Sequence, residues 1–191
     1  MSVVWEIIGL KNYNMKWVNT RTDLLRLLPQ GLVIAELGVF IGDFSKTILD
    51  VCQPSLFFMV DTFPYSPVYS GDKDGKNRID VPDLSIYFEI LKERYKDRKN
   101  VIVIRGNTDI FSHFAVDCEI DCCYLDAQHD YDQMLADLYN YYSIMRVGGF
   151  ICGHDYDQSG VKAAVDLFCK EKGLKIKYLT KDLCPSYLIE L

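Results

Sequence analysis

The chain has 191 residues, 49% hydrophobic and 25% charged, which is enough apolar material for one sizeable core and excludes a disordered segment. Its formal net charge of -6 argues against a partner gripped mainly through phosphates, so no nucleic acid is expected. No apolar run is long enough to span a bilayer, and Met1-Ser2-Val3-Val4-Trp5-Glu6 lacks the basic start of a secretory signal. The expectation is a cytoplasmic protein without a membrane partner.

Residues 1–18 are aromatic and apolar without a clean period. They read as a helical segment covering the core or meeting a neighbouring subunit of a homo-oligomer, within an N-terminal cap over 1–30. Thr22-Asp23 then opens a short helix carrying Leu24, Leu25, Leu27 and Leu28, stopped by Pro29 and Gly31. From there strands and helices alternate. Continuous apolar runs at Val33–Leu37, Leu56–Val60, Val101–Ile104, Cys122–Leu125 and Gly149–Cys152 predict strands covered on both faces, as in a parallel sheet.

Between them lie helical stripes. One starts at Asp43 and carries Phe44, Ile48, Val51 and Cys52. Others are Leu84, Phe88, Leu91 and Tyr95; Met134, Leu135, Leu138, Tyr142 and Met145; and Val161, Val165, Phe168 and Cys169, closed by Gly173. The tail, Ile176–Thr180 and Ser186–Glu190, reads as a terminal strand pair. The predicted fold is α/β over a single domain, 1–191, with a Rossmann-like doubly wound, mostly parallel sheet and an antiparallel terminal pair.

Pro64 to Pro82 breaks this rhythm, with three prolines, two glycines and no periodicity. A long loop in a compact domain is usually functional or disordered, and 64–82 reads as a lid or substrate loop over the sheet's C-terminal edge. Asp72-Lys73-Asp74-Gly75 hints at calcium, but Ser70 and Val81 occupy the first and twelfth positions and defeat an EF-hand. Tyr65, Tyr69 and Tyr87 nearby are candidates to stack a substrate ring, whereas His113 reads as structural. Seven cysteines (52, 118, 122, 123, 152, 169 and 184), odd in number and set in apolar runs, predict reduced and mostly buried thiols. Their spacing argues against zinc.

Ligands of open α/β sheets bind beyond the carboxyl ends of the strands, where this chain places chemically coherent residues. Glu36, Gly38, Gly42 and Ser45 follow the first strand and Asp61 the second. Asn107 and Thr108 follow the third, Asp126 and His129 the fourth, His154 and Asp155 the fifth. An acid at the Asp61 position suits two ribose hydroxyls. The first turn departs from G-x-G-x-x-G because Phe40 replaces the middle glycine and no third glycine follows, leaving little provision for a pyrophosphate. Glu36 for an ammonium, and Ser45 with the helix start for a carboxylate, suit a zwitterionic amino-acid tail.

Glu36-Leu37-Gly38-Val39-Phe40-Ile41-Gly42-Asp43-Phe44-Ser45 resembles the first motif of class I S-adenosylmethionine-dependent methyltransferases. Leu125-Asp126-Ala127-Gln128-His129-Asp130-Tyr131 and Met145-Arg146-Val147-Gly148-Gly149, followed by His154-Asp155-Tyr156, are similar to the catechol-type and macrocin-type small-molecule O-methyltransferases. That resemblance implies S-adenosylmethionine as cofactor, held by Glu36, Gly38, Phe40, Gly42, Ser45, Asp61, Thr62, Asn107, Thr108 and Asp126. It implies Asp126, His154 and Asp155 as ligands of magnesium or another divalent metal, and His129, beside Asp126, as the catalytic base.

The residues suit that chemistry. A hydroxyl must lose its proton, an imidazole of ordinary pKa, about 6.5, accepts one near neutrality, and carboxylates are hard ligands. The His154-Asp155 pair, where catechol-type enzymes carry an Asp-Asn pair, brings through His154 a nitrogen more natural for manganese, iron or zinc than for magnesium. The expected activity is methylation of a hydroxyl on a small molecule of sugar or natural-product type. The alternatives are a metal-independent N- or O-methyltransferase and a cofactor-binding module without turnover.

Overall fold

The computed structural model describes residues 15–65, 68–70, 79–81, 83–109 and 119–191. The apolar runs become parallel neighbours: β2 (Val33–Leu37), β3 (Leu56–Asp61), β6 (Val101–Arg105), β7 (Ile120–Leu125) and β8 (Met145–Gly153). β9 (Ile176–Thr180) and β10 (Tyr187–Glu190) complete the tail, and β10 runs antiparallel to both β9 and β8. With β1 (Lys16–Val18) at one edge, the eight-stranded order is β1-β9-β10-β8-β7-β2-β3-β6. The expected mostly parallel sheet with an antiparallel terminal pair is therefore present.

Helices cover both faces because each strand is apolar on both sides. Against one face, a core of Ala35, Leu37, Val60, Cys123 and Ile151 meets α4 (Tyr131–Tyr142) and α5 (Ser159–Lys172). Against the other, Ile34, Phe57, Met59 and Tyr124 meet α1 (Arg21–Leu25), α2 (Asp43–Cys52) and α3 (Ser85–Tyr95). Cys52, Cys122, Cys123, Cys152 and Cys169 are free thiols buried in these layers, as their apolar setting predicted. Among the described residues, no helix is long and apolar enough to cross a membrane.

Four local expectations need correction. Residues 16–18 are an edge strand paired with β9, not helix, because their backbone completes a ladder with Tyr178–Thr180. The expectation for the segment before them lies outside the described residues. The first helix starts earlier than Thr22: Thr20 caps it, accepting from Asp23 N while Asp23 bonds back in a capping box. Met145 belongs to β8 rather than the preceding helix, which ends at Tyr142.

The fourth concerns the long loop, which contains an antiparallel ribbon, β4 (Val68–Ser70) with β5 (Ile79–Val81), because two short β-prone stretches pair across it. The rest of 66–82, and with it the lid expectation, lies outside the described residues, as does His113.

Thr20→Ala removes the side-chain half of the capping box. It should cost about 1 kcal/mol in denaturant unfolding, and an unchanged midpoint would show that the cap does not hold α1.

Candidate active site

The chain leaves β2 for β3 and β6 on one side, then returns to β7 and β8 on the other, so the sheet switches direction between β2 and β7. Each strand's ladder runs one residue into its loop. Gly38 N donates to Val60 O (2.9 Å), Asp126 N to Leu37 O (2.8 Å), His154 N to Leu125 O (3.0 Å) and Gly106 N to Asp61 O (2.9 Å). These bonds bring the predicted residues to one edge.

The glycines serve the protein first. Gly38 has φ +90, and a Cβ there would lie 2.0 Å from the carbonyl oxygen of Asp126. Gly42 has φ +83, and a Cβ would lie 2.5 Å from Leu91 Cδ2. Their close approach is to β7's exit loop and to Leu91 of α3. Between them Phe40 is also left-handed (φ 55), and 48% of its surface is exposed.

Asp61 holds that turn. Its Oδ2 accepts from Val39 N and Phe40 N (both 2.9 Å), and its Oδ1 accepts from Phe63 N (2.7 Å) and, at 3.4 Å, from the exposed Thr62 hydroxyl. The long Thr62 bond leaves Oδ1 the less fully used of the two oxygens. Phe63 is left-handed too (φ 42), and its carbonyl accepts from the Arg105 guanidinium, which stacks 3.7 Å from the Tyr65 ring centre. Tyr65, proposed for a substrate ring, is thus already paired with Arg105. Tyr87 is partly buried against the α1–α3 layer, away from the role expected of it.

Glu36 is 1% exposed and Ser45 fully buried, and the Ser45 hydroxyl donates to Glu36 Oε2 at 2.5 Å. The Ser45 hydroxyl, expected to meet a cofactor carboxylate, has no exposed surface and donates its hydrogen bond to the buried acid instead. Burial pushes the Glu36 carboxyl up to about 8, Ser45 and Arg21 oppose this, and Asp126 and Asp61 add to it. It is mostly uncharged at neutral pH. Thr108 is committed as well: its hydroxyl donates to Asp137 Oδ1 (2.6 Å) and its carbonyl accepts from Tyr141 OH (2.8 Å), tying it to α4. Asn107 stays exposed at the edge.

The catalytic and metal candidates converge. His129 Nε2 lies 3.0 Å from Asp155 Oδ2 and 3.8 Å from Asp126 Oδ1, and His154 Nδ1 lies 3.2 Å and 3.6 Å from the same oxygens. Ligand atoms of Asp126, His154 and Asp155 all fall within 4.8 Å of one another. Asp155 is left-handed (φ 55), a strained position for a residue with a side chain, and this turn presents its carboxylate. The His129 Nε2 atom is buried and, despite its closeness to both acids, is aligned for no hydrogen bond among the described residues.

The attraction of Asp126 and then Asp155 overcomes burial and lifts His129 to about 9. Burial pulls His154 down, but the same two acids outweigh it and bring it also to about 9. Burial works to raise Asp155, yet the two imidazoles hold it well below the usual carboxylate range. This corrects the expectation that His129 has an ordinary pKa. With both acids charged it is an imidazolium at neutral pH.

Three neighbours had no sequence motif to announce them. Arg21 Nη1 lies 3.7 Å from Asp126 Oδ2. Asp182 accepts from Arg21 N at 2.8 Å. Cys184, exposed on the β9–β10 connection, stands beside Asp155 and Asp157.

A family model described as a methyltransferase domain matches residues 35–156, the span from the middle of β2 to the turn after β8. The chain belongs to that family. It is a class I S-adenosylmethionine-dependent methyltransferase, as the motifs at Glu36–Ser45 and 125–156 implied. No curated protein matches it in sequence.

Among solved structures the methyltransferase is similar to CalS11, a calicheamicin methyltransferase, at 17% identity and TM-score 0.62, covering 87% of this chain and 76% of that one. It is similar to the N-methyltransferase NodS of Bradyrhizobium japonicum at 13% identity and TM-score 0.59, covering 88% and 91%. Aeropyrum pernix fibrillarin, solved with natively bound S-adenosyl-L-methionine, gives 17% and 0.59, covering 88% and 72%. These likenesses establish the fold.

Two outcomes follow for the methyltransferase. Gly38→Ala drives a methyl group into backbone, so the variant should lose more than about 2 kcal/mol of unfolding free energy and S-adenosylmethionine affinity should fall in calorimetry. An unchanged midpoint would contradict the packing. Ionising Glu36 opposes folding increasingly as pH rises from its ordinary 4.5 towards about 8. The unliganded Glu36→Gln variant should therefore gain thermal stability over the parent across that window, by an amount on the order of a few kcal/mol. Parallel melting profiles at pH 5 and 8 would refute it.

Proposed function

We propose that this methyltransferase methylates a hydroxyl of a small molecule, assisted by a divalent metal. The observation that carries the reading is the convergence of Asp126, His154 and Asp155 within 4.8 Å, with the buried, unaligned Nε2 of His129 beside the same two acids. Two carboxylate oxygens and an imidazole nitrogen form a donor set that fits a divalent ion, manganese or iron as readily as magnesium.

S-adenosylmethionine supplies the electrophilic methyl group, and a divalent ion would supply the positive charge that favours an ionised hydroxyl. The chain's own residues do the rest. Asp126 and Asp155 would hold the ion with His154. Once the charge of those acids is met, His129 loses its reason to stay protonated and can take the hydroxyl proton at Nε2. The Gly38–Phe40 turn, Oδ1 of Asp61, Thr62 and Asn107 lie at the ends of β2, β3 and β6 and suit the cofactor's ribose and adenine. Gly42, Ser45 and Thr108 support that edge from within, and Glu36 is a neutral hydrogen-bonding group there.

A small acceptor, rather than RNA, is favoured by the net charge of -6. The test measures S-adenosylhomocysteine formation with a panel of hydroxylated small molecules and with RNA, in manganese, magnesium or EDTA. Turnover of a small hydroxyl compound, lost in EDTA and restored by metal, is expected. Turnover indifferent to EDTA, or only on RNA, would overturn the proposal. His129→Ala should lower the rate about 10²- to 10⁴-fold while leaving cofactor affinity intact.

A further inference from the structure

Arg21 opens α1 and reaches the site from the opposite side of Asp126 to the two imidazoles. Asp126 Oδ1 faces His129 and His154, whereas Oδ2 faces Arg21 Nη1 at 3.7 Å, too far for a hydrogen bond. The guanidinium carbon sits over the Phe44 ring, 4.0 Å from its centre, and Phe44 in turn packs on Tyr124, 4.7 Å between ring centres. Asp182 fixes the Arg21 backbone amide at 2.8 Å. So the side chain is held in place, yet none of its guanidinium N–H donors is in a hydrogen bond among the described residues. Its side chain is still 37% exposed.

A guanidinium that is stacked, oriented and unspent is a fork for a carboxylate, which accepts two parallel N–H bonds from it. We propose that Arg21 recognises a carboxylate on the methyl acceptor, and so sets specificity for hydroxy acids whose acid group lies one carboxylate's width from the reacting hydroxyl. A single negative charge matches a single guanidinium. A doubly charged phosphate in the same place would be repelled by Asp126 about twice as strongly as a carboxylate, with the same single guanidinium to offset it. This rests on the acceptor reading above, but binding of the acid group needs neither turnover nor metal, so the two can fail separately.

The test follows the Arg21 Nε–Hε resonance by NMR, assigned by its absence in Arg21→Lys, in protein saturated with S-adenosylhomocysteine. Benzoate and its neutral counterpart benzyl alcohol are the probes. Benzoate should shift the resonance saturably at millimolar concentration while benzyl alcohol leaves it in place. Calorimetry should show at least a tenfold loss of benzoate affinity in Arg21→Ala and in Arg21→Gln. No saturable shift with benzoate, or equal shifts with both probes, would overturn the proposal. If the anion binds as described while no hydroxyl is ever methylated, the acceptor reading fails and the carboxylate site stands.

Discussion

The site depends on the contact between Gly38 and the backbone of Asp126. Where a side chain would begin, the carbonyl oxygen of Asp126 already stands at 2.0 Å. That approach lets β2 and β7 run side by side to their last residues, with Leu37 opposite Leu125 and Asp126 N donating to Leu37 O. Everything chemical follows from this registration. Glu36 comes to lie below the turn, Asp126 emerges beside it, and β8, paired with β7 through Leu125 and Gly153, delivers His154 and Asp155 to the same place.

The resulting edge concentrates acids in a manner that the protein has to manage. Glu36 is handled by burial, which keeps it protonated near neutrality with Ser45 as partner. Asp61 is handled by backbone amides, three of which converge on its two oxygens. Asp126 and Asp155 are handled by cations: two imidazoles lie across one side and Arg21 on the other. The first two devices stabilise the turns that shape the edge. The third leaves charges that a ligand can rearrange, which is where chemistry belongs.

Backbone strain marks the same edge. Phe40, Phe63 and Asp155 are left-handed non-glycine residues, each in the turn after a different strand. Such conformations persist only where surrounding contacts over-determine them. For Phe40 and Phe63 the contacts are the Asp61 carboxylate and the Arg105 guanidinium. For Asp155 they include Gln158 N on its carbonyl and the neighbouring Tyr156 N on Pro185 O.

The sequence by itself determined the alternation of buried strands and helices, the strand ends and the motif residues Glu36, Asp126, His129, His154 and Asp155. Continuous apolar runs and turn glycines are local signals, and the chain obeys them. Only the tertiary structure decided how those residues are employed. Ser45 and Thr108, read as cofactor contacts, spend their hydroxyls on Glu36 and Asp137, 9 and 29 residues away in the chain. His129, read as an ordinary imidazole, is recharged by Asp126 and Asp155.

Arg21 carried no signal at all, because its position depends on packing against Phe44 and on Asp182, 161 residues further along. The reason is physical. Propensity and periodicity act over a few residues, whereas protonation and hydrogen-bond partnership depend on which charges and donors the folded sheet brings within a few ångströms.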